Sequence, residues 1–334
     1  MNMSFDVKIL NFSGIYEEES FYRSGKSSHF IDLSDIPGTN CMCDEAALKE
    51  IGRRIFAGAG RSGAPGGIEP VPRAGGAGDS IEPVPAAGTS GDGIKPVPAA
   101  GASGDGIKPV PAAGTSGNGI KPVAAAGTSG NGSTLLPYGL NFLDNGNYHY
   151  MSAILLEQVK EPFSLVVLDH HPDMQRPMFD ILSCGGWVLD VAEKNTFVRD
   201  IHIIGADRKL ISELEENVRQ RAFFYDPEDV FYDEGGEVKI KPIDSSFPLY
   251  LSVDKDVILR DEIATNWDQG ELSSRQVLKF MEWAAGCDKG LLGVDVCGEC
   301  AADGDGGDFE ADLAGNSEFN QRTLELFENF EYGI

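Results

Sequence analysis

The chain is poor in basic residues. It contains 27 lysine and arginine residues against 53 aspartate and glutamate residues, which gives 334 residues a formal net charge of −26. A surface this acidic repels polyanions, so the composition predicts no nucleic-acid partner and no attachment to an anionic membrane. The same field attracts cations, and it favours a cationic small molecule or a divalent metal as ligand.

Targeting and membrane signals are also missing. The amino terminus, MNMSFDVKILNF, has no basic leader. No stretch reaches the roughly 18 consecutive apolar residues that a transmembrane helix needs. The sequence therefore predicts a cytoplasmic protein that does not enter a membrane, and it leaves the oligomeric state open.

Cysteines are few for a chain of this length. The six cysteines do not resemble the framework of a disulfide-rich domain, and we expect them to be free thiols. Cys297 and Cys300 have the CxxC spacing, but no second pair follows at the distance of a zinc finger. This spacing therefore does not predict a structural zinc site.

A repeat interrupts the chain. Its clear copies are IEPVPAAGTSGDG (81–93), IKPVPAAGASGDG (94–106), IKPVPAAGTSGNG (107–119) and IKPVAAAGTSGNG (120–132). Each copy consists mainly of Pro, Gly, Ala and Ser, so burial of its few apolar side chains cannot offset the entropy of ordering it. We predict that residues 58–133 are a disordered insertion in one domain, whose two parts are residues 1–57 and 134–334.

Strand-like and helix-like segments alternate in the rest of the chain. Strands are predicted at residues 5–14, 137–144, 163–169, 198–207, 247–254 and 291–297. Helices are predicted at residues 44–56, 149–159, 177–194, 210–220, 273–286 and 320–330. Strands rich in Val, Ile and Leu between amphipathic helices are typical of a parallel sheet covered on both faces. The sequence predicts an α/β fold, a three-layer α/β/α sandwich with a mostly parallel sheet, whose ligands bind beyond the carboxyl ends of the strands.

Histidines and aspartates follow three of these strands. The candidate metal ligands are His149, Asp169, His171, Asp173, Asp254 and Asp256. In an extended chain residues i and i+2 point the same way, so Asp169 and His171 can face one pocket. Carboxylates placed so close together repel one another unless a cation is present. Two imidazoles and four carboxylates are mostly hard donors, which favours Mn²⁺ over a thiolate-type zinc site.

The order of these motifs resembles the ureohydrolase family, which includes arginase, agmatinase and formimidoylglutamase. The resemblance implies an arginase-like fold with a dinuclear manganese centre, and hence two Mn²⁺ ions per chain. By this resemblance one ion is held by His149, Asp169, Asp173 and Asp254, and the other by Asp169, His171, Asp254 and Asp256. His170 is then not a ligand, and its side chain points away from the metals.

The resemblance also implies an activity. A hydroxide that bridges the two ions would hydrolyse a C–N bond of a linear guanidino or formimidoyl compound. Asp173 resembles the family's residue that passes a proton to the leaving amine, and Glu299 is the candidate for binding a cationic group of the small-molecule substrate. The chain departs from the family in three places. Residues 146–150 read GNYHY where the family has GGDHS, residues 174–187 contain no histidine, and Glu299 follows Asp295 by four residues instead of three.

Two alternatives remain open. The missing loop histidine and the displaced glutamate also fit a metal-binding, ureohydrolase-like protein without catalytic activity. A deacetylase of the same fold group would hold one zinc ion with fewer carboxylates. Among the other polar features, residues 265–270 are predicted as a pocket wall or a turn before a helix, His202 as a packed strand residue, and residues 303–310 as a solvated acidic loop.

Overall fold

Eight strands form one parallel sheet in the computed structural model, which describes residues 6–24, 28–56, 138–301 and 308–328. Four further strands form two small sheets, β3 with β6 and β9 with β10. All these strands, in chain order, are β1 (Val7–Asn11), β2 (Ser28–Asp32), β3 (Met42–Cys43), β4 (Gly139–Phe142), β5 (Phe163–Leu168), β6 (Leu182–Ser183), β7 (Val198–Ile204), β8 (Phe223–Tyr225), β9 (Phe231–Glu234), β10 (Glu237–Ile240), β11 (Leu249–Asp254) and β12 (Leu291–Cys297). The order across the eight-stranded sheet is β2-β1-β4-β12-β11-β5-β7-β8. Every pairing within it is parallel.

Helices connect these strands. They are α1 (Ile15–Glu18), α2 (Glu45–Phe56), α3 (Met151–Leu156), α4 (Trp187–Lys194), α5 (Arg208–Glu213), α6 (Glu216–Arg219), α7 (Pro227–Val230), α8 (Ser274–Ala285) and α9 (Phe309–Glu328). Short 3-10 turns occur at Phe21–Ser24, Gly146–Tyr148, Met178–Asp180, Cys184–Gly186 and Lys255–Val257. No helix within the described ranges is both long enough and apolar enough to cross a bilayer.

The sheet has a hydrophobic core on each face. Successive side chains of β5 point to opposite faces, so Val166 packs in one core and Val167 in the other. Residues of α8 and α9 complete the first core, and residues of α2, α3 and α4 complete the second. The predicted three-layer α/β/α sandwich with a mostly parallel sheet is therefore confirmed.

The predicted helix at residues 177–194 is wrong in its first half. Phe179 and Asp180 have φ angles of 59° and 56°, a left-handed backbone that no α-helix contains. The chain then forms β6, which pairs antiparallel with β3, and α4 begins only at Trp187.

Other element boundaries also differ from the predictions. The helix predicted at residues 210–220 is two short helices, because Leu214 has an extended backbone with φ −68° and ψ 141°. The last helix begins at Phe309, well before the predicted residue 320. The strands β2, β9 and β10 were not predicted, because most of their residues are half-buried or exposed and none of the three has a continuous apolar run.

The start of α8 agrees with the sequence. Ser273 Oγ accepts a hydrogen bond from the Gln276 backbone, and the Gln276 side chain accepts one from the Ser273 backbone. The helix ends at Gly286, as predicted, although this glycine has a φ of −86° that other residues can adopt.

The insertion predicted at residues 58–133 lies outside the described residues, as does most of the acidic loop at 303–310. All described residues belong to one compact unit. Within this unit β4, β5 and β11 end at the same edge of the sheet, because they run in parallel. The histidine and aspartate motifs follow these three ends.

Candidate metal centre

The strand ends bring the predicted ligands together. We call His149, Asp169, His171, Asp173, Asp254 and Asp256 the ligand cluster. The cluster contains two groups of donor atoms, and the atoms within each group lie within 4.8 Å of one another. One group is His149 with Asp169 and Asp173, and the other is Asp169 with His171 and Asp256. Asp169 belongs to both groups. The side chains of the DxHxD and DxD motifs thus converge beyond the strand ends, although Asp256 lies in a 3-10 turn and not in an extended chain.

His149 lies at the centre of the first group. Its Nδ1 is 3.2 Å from Asp169 Oδ2, 3.2 Å from Asp173 Oδ2 and 3.4 Å from Asp254 Oδ2. This nitrogen is buried and makes no hydrogen bond with suitable geometry. The other ring nitrogen, Nε2, lies 2.9 Å from Ser252 Oγ. A histidine that donates Nε2–H to a hydroxyl presents the lone pair of Nδ1, which is the form that binds a metal.

His171 has the same arrangement in the second group. Its Nδ1 is 2.8 Å from Asp256 Oδ2 and 3.6 Å from Asp169 Oδ1, and its Nε2 is 3.1 Å from Asp268 Oδ1. The two oxygens of Asp169 therefore face different histidines. Such a carboxylate is placed to bridge two cations.

Asp254 has two roles. Its Oδ1 accepts a hydrogen bond from the Asp256 backbone N–H at 3.0 Å, which caps the turn after β11. Its Oδ2 faces His149. Oδ1 thus caps the turn, which is the role that a single DxD pair usually has, and Oδ2 is available as a metal ligand.

Burial and charge together determine how the ligand cluster titrates. Burial, with the nearby Asp169 carboxylate, raises the pKa of Asp173 to about 7. Burial also raises the pKa of Asp254 and of Asp256. Burial lowers the pKa of His171, but the Asp169 and Asp256 carboxylates outweigh that effect and raise it to about 12. The carboxylates therefore attract positive charge strongly, whether it is carried by protons or by a cation.

Asp173 has a left-handed backbone. Its φ angle is 48°, a region that few residues other than glycine adopt but that aspartate adopts more readily than most. The indole Nε1–H of Trp187, the first residue of α4, donates to Asp173 Oδ2 at 2.7 Å. The Trp187 ring also lies 4.8 Å from the His149 ring, measured between centroids. Trp187 thus orients two members of the ligand cluster.

Sequence analysis missed Trp187, Ser252 and Asp268. Ser252 had a usable signal, because it lies two residues before Asp254 in an apolar strand and so shares its side of the sheet. Trp187 and Asp268 reach the cluster from segments whose position depends on the tertiary fold.

His170 belongs to neither group. Its backbone N–H donates to Asp256 Oδ1 at 3.0 Å, and its ring Nε2 lies 3.7 Å from Asp268 Oδ2. The neighbouring ring of His171 is 5.2 Å away between centroids. His170 therefore supports the turn with its backbone while its ring lies beside the cluster.

Glu299 does not lie where the sequence analysis expects it. The side chain is fully buried, with Oε1 2.7 Å from Lys255 Nζ and 2.8 Å from Asn320 Nδ2. It does not line the cavity described below. The position three residues after Asp295 is Gly298, which has a φ of 94°, and a Cβ there would overlap Asp254 Oδ1. The expected contact between Glu299 and a cationic substrate is therefore replaced by an internal ion pair.

A cavity of about 650 Å³ opens onto the ligand cluster. Asp169, His171, Asp173, Asp254 and Asp256 line its polar part. Its apolar lining includes Met42, Met174, Ile181, Leu210, Leu214, Val218 and Trp267. The exposed residues Arg176, Glu213 and Glu215 also line it, with Arg176 Nε 3.0 Å from Glu215 Oε2. Trp267 shows that the segment 265–270 does form part of the cavity wall.

Two other predicted features are structural. Cys297 and Cys300 belong to different hydrophobic cores, on opposite faces of the sheet, so the CxxC pair does not converge. His202 is buried in β7, where its ring stacks on Phe223 with 5.2 Å between centroids. It is a packed strand residue, as expected.

Comparisons with known proteins give low sequence similarity. No protein-family model matches the chain. An uncharacterised protein from Thermotoga maritima is 29% identical over 161 residues, which make up 48% of this chain and 58% of that protein. The chain therefore spans less than two thirds of the relative that it matches.

Similar solved structures include three hydrolases or hydrolase-like proteins. Formimidoylglutamase from Bacillus subtilis has a TM-score of 0.44 and 11% identity, covering 58% of this chain and 62% of that one. Agmatine ureohydrolase from Thermoplasma volcanium has a TM-score of 0.41 and 18% identity, covering 57% and 64%. An arginase-like protein from T. brucei has a TM-score of 0.41 and 14% identity, covering 58% and 61%.

Proposed function

We propose that this chain is a hydrolase that cleaves a C–N bond of a linear guanidino or formimidoyl compound and uses two Mn²⁺ ions per chain. The observation that carries the proposal is the position of the Asp169 carboxylate. One of its oxygens faces His149 Nδ1 and the other faces His171 Nδ1. A single side chain thus joins two sets of nitrogen and oxygen donors.

The donors fit hard divalent cations. In this proposal one ion is held by His149, Asp169, Asp173 and Asp254, and the other by Asp169, His171, Asp254 and Asp256. Carboxylates and imidazoles without thiolates suit Mn²⁺. Two such ions supply Lewis acidity and an activated water for attack on a planar carbon.

The residues around the cluster orient it for this chemistry. With a metal bound, hydrogen bonds from Nε2–H to Ser252 and to Asp268 would hold His149 and His171 in the tautomer whose Nδ1 lone pair faces the ion. Trp187 fixes the Oδ2 atom of Asp173. Asp173 is proposed to pass a proton to the leaving amine, as the resemblance implies, and its side chain lines the cavity.

The substrate is proposed to be cationic. The chain carries a net charge of −26, and the cavity is lined by the exposed Glu213 and by Glu215, whose carboxylate is paired with Arg176. Glu213 takes the place of Glu299 in the proposal, since Glu299 is bound to Lys255. The apolar wall favours a substrate with an aliphatic segment between its charged ends.

Metal analysis with a product screen tests the proposal. Protein stripped of metal and reloaded with Mn²⁺ should retain close to two ions per chain. It should release urea, ammonia or formamide from at least one member of a panel of guanidino and formimidoyl compounds. Asp169→Asn should lose both metal and turnover. Asp190→Asn, on the outer part of α4, is the matched control and should keep both.

A second candidate is a ureohydrolase-like metal-binding protein without catalytic activity. Gly298 favours it, because no carboxylate stands three residues after Asp295. Two retained ions with no product from any compound of the panel would support this candidate. A single zinc ion per chain would instead indicate a deacetylase, and a chain that retains no metal would contradict all three.

A further inference from the structure

Two thiols lie opposite each other on the wall of the cavity. The strands β3 and β6 pair antiparallel, with Met42 opposite Ser183 and Cys43 opposite Leu182. Cys41 and Cys184 lie one residue beyond this ladder, where Cys41 has a left-handed φ of 59° and the Cys184 backbone N–H donates to the Cys41 carbonyl oxygen at 3.0 Å. Both cysteines line the cavity that opens onto the ligand cluster.

The backbone geometry suits a covalent bond between them. The two residues are joined by a backbone hydrogen bond immediately beyond the last ladder pair, and residues joined in this way in an antiparallel ladder have Cα atoms about 5.5 Å apart. Disulfides span Cα distances of about 4.4 to 6.8 Å. The thiols of Cys41 and Cys184 are also close enough for each to affect the pKa of the other. Cys297 and Cys300, by contrast, pack in separate cores.

We propose that Cys41 and Cys184 form a reversible disulfide by exchange with an oxidised low-molecular-mass thiol, such as glutathione disulfide. One cysteine, as its thiolate, attacks a sulfur of glutathione disulfide and releases one glutathione thiolate. The other cysteine then attacks the protein sulfur of the mixed disulfide and releases the second. The protein loses two electrons and two protons, and one glutathione disulfide becomes two molecules of glutathione.

The surroundings of the thiols decide the speed of this exchange. Burial raises the pKa of both thiols, and the Asp173 carboxylate adds to the effect at Cys184. Thiols with raised pKa values are mostly protonated at neutral pH and react slowly. The pair is therefore suited to slow equilibration with a thiol pool and not to rapid reaction with peroxide.

The disulfide would change the wall of the cavity. It would tie β6 to β3 and so anchor the segment between Asp173 and Trp187 at its far end. Gln175 and Arg176, which belong to this segment, line the cavity. Oxidation would thus fix one wall of the route to the ligand cluster, whatever reaction takes place there.

Peptide mapping after equilibration tests the pair. The full-length, Mn²⁺-loaded protein is incubated for hours with excess glutathione disulfide, and the remaining thiols are then alkylated before digestion and mass spectrometry. We expect a linked peptide pair that contains Cys41 and Cys184, lacks two hydrogen atoms relative to the reduced peptides and disappears with dithiothreitol. Cys287, which is partly exposed and free, should be alkylated or carry glutathione.

Single variants identify which two cysteines form the disulfide. Cys41→Ser should leave Cys184 as a mixed disulfide with glutathione or as a free thiol, and Cys184→Ser should do the same for Cys41. Cys287→Ser is the matched control and should still form the linked pair. Alkylation of Cys41 and Cys184 in the oxidised wild-type protein, or stable glutathione on each of them, would overturn the proposal. Because the mapping uses the wild-type chain, it decides the question even if a variant does not fold.

Discussion

His149 and His171 each bind a fixed acceptor with one ring nitrogen and face carboxylates with the other. For His149 the acceptor is Ser252, a buried hydroxyl in β11, and for His171 it is the largely exposed Asp268. Acceptors of this kind select the tautomer and the ring orientation of a metal ligand. At the scale of single residues, the affinity of the centre therefore depends on atoms that never touch the metal.

Ser252→Ala removes the acceptor for His149 Nε2–H. We expect the affinity for Mn²⁺ to fall by about 10- to 100-fold, as is usual when such an orienting partner is lost. Ser164→Ala is the matched control, because Ser164 is a buried serine of β5 whose Oγ bonds Ser245 and not the cluster. Titration of both variants with Mn²⁺ by calorimetry measures the difference. Equal affinities in the two variants would contradict the role given to Ser252.

The ligand cluster was predictable from sequence because its motifs follow the ends of strands. Asp169 and His171, like Asp254 and Asp256, follow an apolar strand, and parallel strands bring these two strand ends to one edge of the sheet. The 3-10 turn that contains Asp256 was not predicted. Glu299 was not predictable in the same way. Its spacing from Asp295 can be counted, but its ion pair with Lys255 depends on the register of β11 against β12.

At the scale of elements, the turn after β11 is anchored to the end of β12. Lys255 lies between the two aspartates of the DxD motif, and its Nζ is 2.7 Å from Glu299 Oε1. Both side chains are fully buried. Beside them, burial and the Glu299 carboxylate raise the pKa of Glu19 to about 9. Glu19 is therefore protonated at neutral pH and adds no second negative charge beside Glu299.

Breaking the Lys255–Glu299 pair should destabilise the fold. Each of Lys255→Met and Glu299→Leu leaves a buried charge without its partner, which typically costs about 3 to 5 kcal/mol of unfolding free energy. The double variant removes both charges and should recover a large part of that loss. Urea denaturation in the presence of EDTA measures all three. If Glu299 instead bound substrate, Glu299→Leu would keep its stability and raise KM.

Most elements with a regular buried pattern were predicted, apart from the first half of α9, and the two-residue strands were not, for a physical reason. The strand β5 and the helix α8 bury several residues in a regular pattern, so their periodicity is visible in sequence. The strands β3 and β6 have two residues each and exist only because they pair with each other. Two residues carry no periodicity, and their partner lies far away in sequence.

At the scale of the whole molecule, the segments before and after the repeat belong to one folded unit. The helix α2 ends at Phe56 and β4 begins at Gly139, and β1 and β4 are neighbours in the sheet. The core on both sides of the repeat is thus continuous across it. Folding of the α/β unit should not require the repeat.

Removal of residues 81–132, the four clear copies of the repeat, should leave the protein folded. We expect an unchanged Mn²⁺ content and a thermal midpoint close to that of the full chain, because these copies have few apolar side chains with which to stabilise the core. Circular dichroism and metal analysis of the shortened chain give the answer. A protein that is insoluble or metal-free after this deletion would show that the repeat is part of the folded unit.

Metal binding should depend on pH in a defined direction. The pKa of Asp173 is raised to about 7 and that of His171 to about 12, so both groups carry protons in the metal-free protein at acidic pH. These protons must leave before Mn²⁺ binds, and the affinity should therefore rise as the pH increases from about 6 to 8. Calorimetric titrations in two buffers of different ionisation enthalpy would detect the released protons. An affinity that is independent of pH over this range would contradict the assignment of these ligands.

The shared position of Asp169 implies that two cations, bound as proposed, would not bind independently. The first ion would fix the carboxylate in the orientation that the second also needs, and the two positive charges would then repel each other at short range. These two effects have opposite signs. The binding isotherm of this protein should therefore contain a coupling free energy between its two proposed sites.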